Sequence, residues 1–142
     1  MEVTPRLVPW LGWQEWQAVS HALFDENGNR QWGLEAIALW RLRGRIPHAV
    51  DITSSLIEII MLDDDSQSLR TQYEMRLQYS IIVVRAVNGL VDPSQQSYFA
   101  DSVMSLASKI DIPGWIVELR HDATHNALPS LSILRSAAQH ML

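Results

Sequence analysis

Residues 120–125, Arg-His-Asp-Ala-Thr-His, are the segment of this chain densest in groups able to do chemistry. His121 and His125 stand four positions apart. On a helix they share a face, roughly 5–6 Å apart at Cβ. Imidazole titrates near neutrality, so one ring can take a proton while the other gives one. Arg120 adds a lasting positive charge and a planar fork for phosphate oxygens. A base, an acid and a fixed cation are the parts needed to cleave RNA without a metal. The 2′-hydroxyl attacks the adjacent phosphate, charge grows on the phosphorane, and the 5′-oxygen leaves. That route ends in a 2′,3′-cyclic phosphate and a 5′-hydroxyl.

Two other readings of the same residues stay open at this point. The segment can simply be the last turn of a helix, where arginine and histidine complement the dipole. It also imitates the His-Glu-x-x-His zinc helix, with Asp122 in the base position. Aspartate is a carbon shorter than glutamate, and a third ligand would have to come from His21, His48, His140 or a distant carboxylate. The metal-free reading carries a geometric demand of its own. Arg120 and His125 are five residues apart, so an ideal helix separates them by about 140° around its axis. Either the helix ends or kinks near Asn126, as Pro129 suggests, or a second chain completes the site.

The elements that must position this segment read as helices. Trp13, Trp16, Val19 (or Ser20) and Leu23 recur at helical spacing. Asp25-Glu26-Asn27-Gly28-Asn29 is a turn. Trp32, Ala36, Ile37 and Trp40 make a second stripe, stopped by Gly44 and Pro47. Ile52, Leu56, Ile59 and Ile60 make a third, and Asp63-Asp64-Asp65-Ser66 reads as a solvated loop. A long fourth helix is expected from Leu69, Tyr73, Leu77, Ile81, Val84 and Val87, with Arg76, Ser80 and Asn88 on the same stripe and Gly89 as its C-terminal cap. Ile81-Ile82-Val83-Val84 resembles a buried strand, but the flanking periodicity favours helix. Phe99, Val103, Leu106, Ala107 and Ile110 make a fifth stripe. Pro113 opens a sixth with Trp115, Ile116 and Leu119, and Pro129-Ser130 opens a last one with Leu131, Leu134, Ala138 and Met141. No segment alternates with period two, so the expected fold is an all-α antiparallel bundle of about six to seven helices.

The chain has 142 residues, the size of one domain, enough to hide about two-thirds of its unfolded surface. The pattern still runs at Leu142, which suggests the N-terminal piece of a longer protein. There is no cysteine, which excludes disulfides and thiolate metal sites. No apolar run approaches the roughly 18–20 residues of a membrane span, and Met-Glu-Val-Thr-Pro-Arg is not a secretory leader. The net charge of −5 argues against a general nucleic-acid coat. Any RNA chemistry must use a local site or a partner. Arg41, Arg43 and Arg45, beside His48, are the basic cluster, read as a solvated helix end before an RNA contact. Arg76, Arg85 and Asn88 read as structural hydrogen-bonders, and the six tryptophans as core, apart from Trp10, which the pattern does not place.

Arg-x-x-x-x-His on a helical bundle resembles the HEPN ribonucleases. Three longer blocks narrow this to the Las-type pre-rRNA endoribonucleases of eukaryotes: Trp-Ile-Val-Glu-Leu-Arg-His-Asp-Ala-Thr-His at 115–125 with Leu-Pro-Ser-Leu at 128–131, Trp-Arg-Leu-Arg-Gly-Arg-Ile-Pro-His-Ala-Val at 40–50, and Val-Arg-Ala-Val-Asn-Gly-Leu-Val-Asp at 84–92. The resemblance implies a single HEPN nuclease domain over 1–142, with Arg120, His121 and His125 as its catalytic residues. It further implies cleavage of the second internal transcribed spacer of pre-rRNA in the nucleolus of the nucleus. No cofactor is needed, the domain pairs as a homodimer with one composite site, and a polynucleotide 5′-hydroxyl kinase is the partner. A zinc-dependent hydrolase and a non-catalytic helical interaction module are the competing classes. No membrane association is expected.

Overall fold

The computed structural model describes residues 9–65, 69–91 and 112–142. Six helices form among them: α1 (Trp13–Phe24), α2 (Arg30–Arg43), α3 (His48–Asp64), α4 (Gln72–Val91), α5 (Gly114–His125) and α6 (Leu131–Met141). The described residues contain no strand, so the chain is all-α as expected, and Ile81–Val84 is helical. The stripe expected over 99–110 lies outside the described residues. Among those described, no helix is long and apolar enough to cross a membrane. The chain divides into two compact units, residues 1–57 and 58–142, with the division inside α3.

In the first unit, α1 and α2 pack on each other through Val19, Ala22, Leu23, Gly33, Ile37 and Trp40. The turn between them closes with the Gly28 N–H donating to the Asp25 carbonyl at 2.9 Å. A Cβ at Gly28 would stand 2.5 Å from the carbonyl oxygens of both His21 and Ala22, so only glycine lets the chain pass there. Asn29 caps α2 by accepting the Trp32 N–H at 3.1 Å. Trp40 is 1% exposed, and its indole N–H donates to Glu15 Oε1 at 2.6 Å. That bond, with the Leu11 N–H behind it, holds the Glu15 carboxyl below its ordinary range. Trp10, which the pattern leaves unplaced, lies against Trp40 with ring centroids 5.2 Å apart.

The other tryptophans depart from the core assignment. Trp13 is 63% exposed and stacks on the half-buried Trp16 at 5.0 Å, and Trp32 and Trp115 are exposed. All three exposed indoles stand in the first turn of a helix. No preceding turn covers the side chain there, so helical spacing marks the face without enclosing the ring.

In the second unit, α4 packs against α5 and α6. It starts later than its apolar pattern suggests. Thr71 Oγ1 accepts the Glu74 N–H at 3.1 Å, a cap that sets the start at Gln72, and Leu69 is 98% exposed ahead of it. Gly89 does not end the helix, which runs on to Val91; an interior glycine costs only about 1 kcal/mol. The buried face is also rotated from the expected one. Met75, Tyr79, Ser80, Val83, Ala86 and Val87 face inward, while Tyr73, Leu77 and Ile81 are exposed. Both sides of α4 are apolar, and packing against Ile116, Val117 and Leu119 of α5 and Leu134, Ala137 and Ala138 of α6 selects one.

The acidic run expected as a loop is also corrected. Asp63 and Asp64 belong to α3. Asp63 accepts the Tyr79 hydroxyl at 2.7 Å and a two-pronged contact from Arg135 at 2.6 and 2.7 Å. The Arg135 guanidinium, helped by Tyr79, holds the Asp63 carboxyl below its usual range. Burial, then the Asp63 acceptor, pushes the Tyr79 hydroxyl well above its own.

Candidate active site

Helix α5 follows Pro113, whose missing N–H costs nothing at a helix start. Ile116, Val117 and Leu119 bury one face and leave the last turn and a half, Arg120–His125, at the outer end. The helix continues unbroken to His125. Thr124 Oγ1 donates to the Arg120 carbonyl at 2.8 Å. Asn126 is extended, its backbone N–H bonds the Asp122 carbonyl at 2.9 Å, and its side-chain amide bonds Asp122 Oδ1 at 3.0 Å. The helix therefore ends just past the motif, so the chain leaves Arg120 and His125 on one helix.

His121 and His125 are both exposed. Their ring centroids lie 4.8 Å apart with planes tilted by 52°. They sit in the last two turns of the helix. Arg120 is half-buried. Its Nη1 donates to Asn88 Oδ1 on α4 at 3.0 Å, and its buried Nε has no hydrogen-bond partner among the described residues. The structure thus brings the two histidines together and turns the arginine toward α4. A protonated imidazole, a neutral one and a fixed guanidinium can move two protons and offset phosphorane charge.

The turn after the motif is held from α4. Arg76 Nε donates to the Pro129 carbonyl at 2.9 Å and its Nη2 to the Leu128 carbonyl. Ser130 then caps α6 by accepting the Ile133 N–H. Arg76 and Asn88 are hydrogen-bonders, as their place among apolar residues suggests. Asn88's tie to Arg120 was not legible. They are 32 positions apart, and the available signal was a lone amide on an apolar helix.

Among the described residues, no group of three or more histidine, aspartate or glutamate side chains is placed to hold a metal ion. Of the proposed third ligands, His21 pairs with Asp25 at 2.9 Å and His140 lies edge-on to Trp115. His48 is half-buried, and its Nε2 has no hydrogen-bond partner among the described residues. In the basic cluster, Arg41 pairs with Asp51 at 2.7 Å and Arg43 with Glu15 at 3.1 Å, while Arg45 is exposed. Two of those three charges are already matched within the protein, which fits the helix-end reading.

Residues 8–142 match the family model described as Las1-like. The chain is 46% identical over 110 residues to the pre-rRNA-processing protein las1 of Schizosaccharomyces pombe, covering 78% of this chain and 22% of that protein. It is 36% identical over 151 residues to protein LAS1 of Saccharomyces cerevisiae, covering 99% and 30%. The ribosomal biogenesis protein LAS1L of Mus musculus is 34% identical over 139 residues, covering 96% and 18%. The chain therefore spans less than a third of the length of each of these relatives.

Proposed function

The chain belongs to the Las1-like family, and from that premise we propose that it is the RNA-cleaving domain of a pre-rRNA-processing protein, an endoribonuclease of the HEPN type. One histidine of the pair His121/His125 removes the proton of the attacking 2′-hydroxyl. The other protonates the departing 5′-oxygen, and Arg120 offsets the charge that builds on the phosphorane. No metal takes part, and the ends are a 2′,3′-cyclic phosphate and a 5′-hydroxyl. The substrate is the second internal transcribed spacer, cut in the nucleolus during maturation of the large subunit. A polynucleotide 5′-hydroxyl kinase fits the chemistry of the 5′ end so produced. The names of two relatives, one for pre-rRNA processing and one for ribosomal biogenesis, support the setting.

One observation carries the chemistry: two exposed histidine rings 4.8 Å apart on the helix turn that also bears a half-buried arginine. The domain acts as a homodimer. One helix turn carries one arginine and two histidines, and a two-fold axis doubles that set across one cleft. His121→Ala and His125→Ala test the assignment. Each is expected to lower cleavage by about 10²–10⁴ with the fold intact by circular dichroism. Arg120→Lys is expected to fail as well, because a point charge does not replace a fork. Full cleavage by any of these variants removes that residue from the site.

A further inference from the structure

We infer that Asn88 is a positioning residue for Arg120, holding the guanidinium in place without cancelling its charge. The inference rests on the cleavage reading above. A guanidinium only donates, so the Asn88 atom facing it at 3.0 Å is the carbonyl oxygen. That acceptor is neutral, as are the carbonyls that hold Arg76 and Arg30, but three other arginines are matched by charge. Arg41 meets Asp51, Arg43 meets Glu15 and Arg135 meets Asp63, each a carboxylate. Among the described residues no carboxylate reaches Arg120, and its buried Nε has no hydrogen-bond partner.

The difference matters because the two kinds of partner do different things. A carboxylate orients a guanidinium and neutralises it. An amide oxygen orients it and leaves its unit charge for whatever arrives. Electrostatic catalysis needs a charge that is already aimed and still unspent when the phosphorane forms. Asn88 is itself fixed on α4, beside the buried Ala86 and Val87. The arginine is therefore held by the packed interior of the unit and not by its own rotamer preferences.

The test is Asn88→Asp in the full protein purified with its natural partners, with Arg120→Ala alongside. The change keeps size and acceptor and adds a negative charge. A purely structural Asn88 predicts an unchanged or higher Tm with full cleavage, because an ion pair is at least as good a bond. Positioning predicts the same Tm with kcat lowered by about 10² and KM little moved. Full cleavage by Asn88→Asp, with Arg120→Ala inactive, overturns the inference and leaves the site reading standing. Full cleavage by Arg120→Ala overturns both. If Asn88→Asp does not fold, Asn88→Ala decides. A folded variant with kcat about tenfold down supports positioning, and unchanged kcat overturns it.

Discussion

Replacing Arg76 by methionine removes the clamp on the turn that follows α5 and keeps the side chain's apolar stem. The wild-type guanidinium makes two hydrogen bonds, to the carbonyls of Leu128 and Pro129. Bonds from a charged donor contribute about 1.5–3 kcal/mol each. Arg76 is half-buried and both bonds share one side chain, so the pair is put at the lower end, about 2–4 kcal/mol in all. Each kcal/mol moves Tm by roughly 2–4 °C at this chain length, and the expected loss is about 4–16 °C. Thermal unfolding followed by circular dichroism at neutral pH reads it directly. Arg76→Lys should recover part of the loss, since one ammonium reaches one carbonyl well and two poorly. Cleavage measured well below Tm should fall several-fold, because His125 stands next to the released turn. A Tm within about 1 °C of wild type would refute the reasoning: water would then serve those carbonyls as well as Arg76 does.

The Asp63–Tyr79–Arg135 cluster predicts a pH dependence with a sign at each end. The Asp63 carboxyl is held low, so its contribution is full above about pH 4 and is lost as pH falls through its lowered value. The Tyr79 hydroxyl is held high, so its contribution is full below about pH 10 and is lost as pH climbs beyond it. Asp63→Asn should lower stability by about 1–3 kcal/mol at neutral pH and flatten both limbs of a urea-midpoint profile; an unchanged profile would remove the cluster from the account. Gly28→Ala should cost about 1–3 kcal/mol, because the new methyl meets two backbone oxygens that cannot step aside; a stabilised variant would show that the turn can open. Trp40→Phe should lower Tm because it deletes the indole N–H that Glu15 accepts, and Glu15→Gln should be milder in the same melting assay.

Most helix boundaries are legible in the sequence because they depend on near neighbours, although the Thr71 cap and the passage of α4 through Gly89 are equally local and depart from the expected bounds. The 25–29 turn separates two helices, Pro129-Ser130 opens a third, and Pro113 precedes a helix that ends at His125. The motif stood out by residue type alone, and its place at an exposed helix end followed from the same local pattern. What stayed hidden depends on partners far along the chain. Which face of α4 turns inward is decided by α5 and α6, not by spacing, because both faces are apolar. Asp63 reads as one more acid in a charged run until Tyr79 and Arg135 arrive from 16 and 72 positions away. The Arg120–Asn88 bond spans 32 positions and has no periodic signature.

The central claim is metal-free cleavage by an arginine and two histidines. Its most direct measurement is single-turnover cleavage of a spacer-containing pre-rRNA fragment in excess EDTA, with both new ends identified chemically. We expect an undiminished rate, a 2′,3′-cyclic phosphate on one product and a 5′-hydroxyl on the other, all lost in His125→Ala. A rate that collapses in chelator and returns with added zinc, or products ending in a 3′-hydroxyl and a 5′-phosphate, would contradict it.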